Sequence, residues 1–301
     1  MKQLLILLCL GSILLSCQEP GQEIIVPDNN ATPYEGVPTI KVENYINRLY
    51  IDLIGREPLD AEMSRDVAFL RAGELGAESR RQLISRLQTD ENGGATSYKH
   101  IYYSRLYAQQ KVRLLEGVSD KYLESKISDF YSEFVKDSLE GNLAGMAFWE
   151  AKMAPIRNIL TSQIEHRNGL IPINEMIARM LNNEIYDEIN MNSINFIMAS
   201  FDNLFFRFPT QAEFDQSFPI IENNQSNIIF GQPASNKTEY IAVLTNSREF
   251  HEGMIRWAYK ILMAREPETE EIVAEMDAFF QDKDFQVLQQ NILIKDEYAN
   301  F

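Results

Sequence analysis

The stretch "NRLYIDLIGREPLDAE" (47–62) runs an apolar helical pattern into a proline-bearing corner. Its core, Arg56-x-Pro58-x-x-x-Glu62, returns as "RFPTQAE" at 207–213 and as "REPETEE" at 265–271. Arg56, Arg207 and Arg265 each follow an apolar segment ("NRLYIDLIG", "FDNLFF", "WAYKILMA"). A cation there suits the carbonyl end of a helix dipole. Pro58, Pro209 and Pro267 bar the residue before them from helical angles and suit the start of a following helix. Glu62, Glu213 and Glu271 fall in the first turn of that next helix, and Thr210 with Glu213 has capping-box spacing. The chemistry therefore spells a helix–turn–helix corner. The expected use of each arginine is a salt bridge or cap inside its own module.

Working outward, each copy closes on a comparable helix: "LISRLQTDE" (83–91), "IAVLTNSREF" (241–250) and "QNILIKDEYANF" (290–301). Ile46, Leu49, Tyr50, Leu53 and Ile54 share one helical face before the first corner. Between the copies, Ile127, Phe130, Tyr131, Phe134 and Leu139 form a stripe at helical spacing. "INEMIARMLNNEIYDEI" (173–189) and "SINFIMASFDNLFF" (193–206) read the same way, and Gly73, Gly76, Gly93, Gly169, Pro172, Gly231 and Pro233 punctuate the pattern. "SNIIFGQ" (226–232) is the best strand candidate. The expected fold is all-α: a multi-helix bundle of repeated helix–turn–helix modules, about twelve helices, with little or no sheet. Residues 41–170 are expected to hold the first module and connecting helices, and 171–301 two further modules.

Two resemblances rest on these residues. "NRLYIDLIGREPLDAE" with "RRQLISRL" (80–87) resembles a domain of unknown function found beside cytochrome-like domains in planctomycete proteins, over roughly residues 45–107. "YKILMAREPETEE" (259–271) is similar to the helical modules of phycobilisome linkers and of a related domain in bacterial surface proteins, over roughly 193–301. The middle copy departs, with Phe206 and Phe208 where the others carry Gly or Ala and Glu. The resemblance implies an interaction module and brings no catalytic residues.

The amino terminus reads as an address. Met1-Lys2 is a short positive start, and "LLILLCLGSILL" (4–15) is apolar but short for a membrane span. "LLSC" (14–17) resembles the lipobox of bacterial lipoproteins, which implies a signal peptide over 1–16, cleavage before Cys17, and lipid on that cysteine. Several acyl chains make a stable anchor where one is marginal. Gln18 at the next position points to the outer membrane, and "QEPGQE" resembles the surface-export signals of Bacteroidota lipoproteins, favouring the cell surface. Residues 17–40 then form the lipidated cysteine and a tether, reaching about 25 Å as a flexible chain.

The formal charge of −16 opposes nucleic acid, which needs clustered Lys and Arg. Removal of Cys9 with the signal leaves no thiol beyond Cys17 for a disulfide or metal site. His100, His166 and His251 stand at no metal-ligand spacing, although Glu249, His251 and Glu252 lie close in sequence. No haem-attachment motif, phosphate loop or nucleophile elbow occurs, so no catalytic residue, metal or cofactor is expected. "SYKHIYYSRLYAQQKVRLLEG" (97–117) is locally basic in an acidic chain. Tyr98, Tyr103, Tyr107 and Arg105 are its candidate partner-binding residues, since tyrosine and arginine favour interfaces; the alternative is a core helix whose tyrosines reach polar partners. The Asn-rich stretch at 222–237 is a second candidate contact. The expected function is a membrane-anchored, non-enzymatic binding or scaffold subunit with a protein partner in an outer-membrane complex for secretion, assembly or nutrient uptake. The alternatives are an envelope or glycan hydrolase using a carboxylate pair, and a lipoprotein that delivers a ligand to a transporter.

Overall fold

Helix α1 (Thr39–Leu49) begins behind Pro38 and buries Val42, Tyr45, Ile46 and Leu49. It runs without a break into one π-helical turn, Tyr50–Ile54, which buries Tyr50, Leu53 and Ile54. The face read from 46 to 54 is thus the inward face. Gly55 ends it at φ 80°, and a Cβ there would stand 2.7 Å from the Arg105 guanidinium.

The computed structural model describes residues 34–301. It contains fifteen α-helices among the described residues and one two-stranded hairpin. After α1 come α2 (Asp60–Ala72), α3 (Ala77–Thr89), α4 (Tyr98–Leu115), α5 (Asp120–Glu140), α6 (Leu143–Arg167), α7 (Ile173–Leu181) and α8 (Glu184–Asn190). The second half holds α9 (Ser193–Phe205), α10 (Gln211–Asn223), α11 (Lys237–Thr245), α12 (Arg248–Met263), α13 (Thr269–Asp282), α14 (Phe285–Leu293) and α15 (Asp296–Ala299). The number exceeds the expected dozen because polar caps divide continuous apolar patterns. Asn183, for one, accepts from the N–H groups of Ile185 and Tyr186 and starts α8 directly after α7. The strand reading at 226–232 lands on β1 (Asn227–Ile229), paired antiparallel with β2 (Gln232–Ala234) around Phe230-Gly231. The Asn-rich stretch is therefore partly a hairpin.

Residues Gly36–Phe301 make one compact unit. The first and third copies meet through equivalent helices, α3 and α14. Gln88 there faces Gln286, Gln289 and Gln290, and Tyr102 donates to Gln289 at 2.6 Å. Helices α9 and α12 cross closely at Gly253, where any Cβ would fall 2.1 Å from the Leu204 carbonyl oxygen.

The stripe on α5 is only partly covered. Ile127, Phe130 and Phe134 are half-buried against α6, where Phe130 stacks on Trp149 at 5.8 Å. Tyr131 and Leu139 are 54% and 85% exposed. From Glu124 to Lys152 no residue is fully buried. The two helices form an arm rooted by Leu123, Met153, Ile156 and Ile159.

Candidate functional site

The three Arg-x-Pro-x-x-x-Glu segments adopt one geometry. Arg56 donates through both terminal nitrogens to the two Glu62 oxygens at 2.7 and 2.8 Å. Arg207 meets Glu213 at 2.8 and 2.7 Å, and Arg265 meets Glu271 at 2.7 and 2.9 Å. In every copy Nη1 also donates to the carbonyl of the next residue, Glu57, Phe208 or Glu266. The glutamate in turn accepts the N–H of the helix-capping residue: Leu59 at 2.7 Å, Thr210 at 2.7 Å and Glu268 at 3.0 Å. One carboxylate thus fixes the arginine of the outgoing helix and an orphan donor of the incoming one. Only Thr210 adds a side-chain cap of its own.

Two regularities escaped the motif as read. The guanidinium lies over the aromatic ring six positions earlier: Tyr50 at 5.6 Å, Phe201 at 5.2 Å and Tyr259 at 5.3 Å. That ring is visible in the sequence at constant spacing. The residue just before the arginine is left-handed in all copies, Gly55, Phe206 and Ala264, with φ of 80°, 57° and 55°. A glycine in only one copy hid this.

The second and third copies are then tied to their own close. Arg207 also forks onto Glu249, and Arg265 onto Glu297 at 2.7 and 2.7 Å. Glu249 and Glu297 belong to the closing segments "SREF" and "KDEY". The first copy differs: Tyr98, beyond the 83–91 close, donates to Glu62 at 2.5 Å. Behind it, the fully buried Asp66 accepts from Tyr50 at 2.9 Å, Arg65 at 2.7 Å and Arg86 at 2.5 Å. Partial burial would push the Glu62 carboxyl up, but hydrogen bonds from Arg56, Tyr98 and the Leu59 N–H outweigh it and hold it at about 2. The Arg207 fork is the largest influence on Glu213, also held at about 2 against partial burial. The Arg265 fork, with Lys295, keeps Glu271 well below the usual carboxylate range.

The basic, tyrosine-rich helix α4 turns its candidates inward. Tyr103 and Tyr107 are buried, with Tyr107 near Asp120 at 3.3 Å. Tyr98 joins the first corner. Arg105 is half-buried and donates to the Asp52 carbonyl at 3.1 Å. These four side chains sit among intramolecular partners, Tyr103 and Tyr107 buried and Tyr98 and Arg105 half-buried. Cys17, the expected lipid site, lies outside the described residues, as do residues 1–33 of the expected signal and tether.

Glu249, His251 and Glu252 diverge. Glu249 holds Arg207, Glu252 holds Arg256 at 2.7 Å, and the buried His251 lies among Phe250, Phe279 and Phe280. No group of three potential metal ligands converges among the described residues. An open cavity of about 610 Å³ lies between the hairpin, α11 and the start of α12, lined by Phe230, Asn246, Arg248, Glu249 and Phe280. Its carboxylate is the one engaged by Arg207. Burial pushes two other carboxyls up, Asp52 and Glu275, but Asp52 accepts from Tyr298 and Glu275 from Asn291, and neither lines that cavity. Among the described residues no helix is long and apolar enough to cross a membrane. No protein-family model, curated protein or solved structure matches the chain.

Proposed function

We propose that this chain is a lipid-anchored outer-membrane protein of the Bacteroidota type, acting as a non-enzymatic binding or scaffold subunit of an envelope complex. The observation that carries the reading is the closure of all three repeated motifs on themselves. The residues the chain writes three times, Arg56, Arg207 and Arg265 with Glu62, Glu213 and Glu271, are taken up by one another, the local backbone and nearby side chains of the same chain. A motif used up in this way supports architecture, and a rigid array of helical corners suits a scaffold. The likeness of the first copy to the planctomycete domain, and of the third to linker modules, fits the same role. The "LLSC" segment supports the anchor at Cys17, with the cell surface as the favoured side.

The test uses full-length chain expressed at native level. After mild detergent extraction it should co-purify with a stable envelope protein in fixed ratio, and Cys17→Ser should shift it out of the membrane fraction. A chain that always migrates alone sinks the scaffold role. A Cys17→Ser variant that still pellets with membranes sinks the anchor.

A further inference from the structure

Helix α11 turns one side toward a continuous trough. An open cavity of about 330 Å³ lies between Phe148 on α6, the α7–α8 junction and the start of α11. A second, of about 270 Å³, shares Pro155, Asn182 and Thr238 with it and follows α11 to Asn246. That one shares Ala242 and Asn246 with the 610 Å³ cavity at Phe230 and Phe280. The walls are therefore continuous from Phe148 to Phe280. Thr238, Ala242 and the capping Asn246 recur at i, i+4 and i+8 along the trough side of α11, while Tyr240 and Leu244 on its other side are buried.

The lining decides the ligand class. In a chain of net charge −16 the trough carries four cations, Lys152, Arg179, Lys237 and Arg248, and four carboxylates, Glu175, Glu184, Asp187 and Glu249. Each already holds an opposite charge: Lys152 meets Glu184, Lys237 meets Asp187, Arg179 meets Glu175, Arg248 meets Asp277 and Glu249 meets Arg207. A charged ligand would have to break such pairs. Between them stand amides and hydroxyls. Asn182 reaches across from the end of α7 and donates to the Thr238 hydroxyl oxygen at 3.0 Å. The Asn182 side-chain oxygen and the Thr238 O–H have no further partner among the described residues, which sets an acceptor beside a donor. Pro155 has no N–H for the Ala151 carbonyl, and both residues line the trough, so the α6 backbone adds an acceptor. A sugar hydroxyl donates and accepts at once and so matches these mixed pairs, where an anion or a cation matches half of each. The Phe148 ring, 52% exposed, stands at one end and Phe230 and Phe280 at the other, where the C–H face of a sugar ring would lie. Between Phe148 and Asn246 the walls are helices with small side chains, Ala151, Ala178 and Ala242, and they lack the strand edge or apolar pockets that hold an extended peptide. We infer that the trough binds a neutral oligosaccharide chain. This goes beyond the scaffold reading and does not depend on it.

The test titrates the full-length chain in detergent with neutral oligosaccharides of about six units, built from glucose, galactose, mannose, xylose or N-acetylglucosamine. Oligomers of galacturonate and of glucosamine serve as the anionic and cationic controls. At least one neutral member should bind, one per chain, and more tightly than either charged control. Asn158→Ala/Thr238→Ala and Phe148→Ala should each weaken it about tenfold. All three side chains are exposed and outside the core, so thermal midpoints should stay with the parent. Leu139→Ser on the arm, outside the trough, should leave binding unchanged. No binding across the neutral panel overturns the inference. So does binding that both trough variants retain, which puts the sugar elsewhere, and so does a charged control that binds more tightly than every neutral member. The two readings fail separately. A chain that binds sugar and forms no envelope complex refutes the scaffold alone, whereas a stable complex with no sugar bound refutes the trough alone.

Discussion

Tyr298, in the last helix, donates its hydroxyl to Asp52 in the π-turn that ends the first, at 2.8 Å across 246 positions of sequence. Around this bond Arg48 lies 4.0 Å from the Tyr298 ring centroid and donates to the Tyr298 carbonyl, while Tyr45 donates to the Leu293 carbonyl. The third copy is thereby clasped to the first. Tyr298→Phe keeps the ring and removes one donor to a largely buried carboxylate, so it should cost about 1–3 kcal/mol in urea unfolding. Tyr131→Phe on the arm, by contrast, should stay within about 0.5 kcal/mol of the parent. Equal effects would mean the clasp contributes nothing.

The left-handed position before each arginine gives a prediction with opposite signs. Gly55→Ala should destabilise, because it forces a side chain to φ 80° and against Arg105. Ala264→Gly relieves a strained φ of 55° and should stabilise by up to about 1 kcal/mol, the gain trimmed by the extra freedom of the unfolded chain. Thermal midpoints of the two variants, measured side by side, check this.

Acid should loosen the fold in two stages. Burial is the largest influence on His166 and His251 and lowers both from 6.5, so they resist protonation when folded but not when unfolded. The unfolded chain then binds more protons, and stability falls as the pH drops below about 6.5. Glu62 and Glu213, lowered from 4.5 to about 2, extend the loss through that second interval. Asp52 and Glu275 are raised by burial and oppose the trend. Unfolding free energy followed from pH 7 to pH 3 should decline throughout, and Glu62→Gln/Glu213→Gln should flatten the lower part. A stability that rises on acidification would mean the two raised carboxyls dominate.

The corners were legible in sequence because capping and proline chemistry act within a few residues. The inward face of α1 was legible for the same reason, since Ile46, Leu49 and Tyr50 obey a helical period. What lay beyond the sequence is what depends on distant partners. The second carboxylate on Arg207 comes from Glu249, 42 positions away, and that on Arg265 from Glu297, 32 positions away. Periodicity also could not say whether a stripe is covered. Phe130 finds Trp149, while Leu139 on the same helix finds no cover among the described residues. Tyr103 and Tyr107 carry the residue types of an interface, and their burial was decided by packing that composition does not report.

The account turns on the arginine–glutamate fork serving architecture, and a double-mutant cycle at the first corner tests it most directly. Arg56 is suited because Glu62 is its only carboxylate partner among the described contacts. Arg56→Ala, Glu62→Ala and the double variant, unfolded in urea, should give a coupling of about 1–2 kcal/mol, with envelope-complex recovery unchanged at temperatures where all four chains stay folded. A coupling near zero, together with loss of the complex in the single variants, would contradict the account and make the corner a binding site.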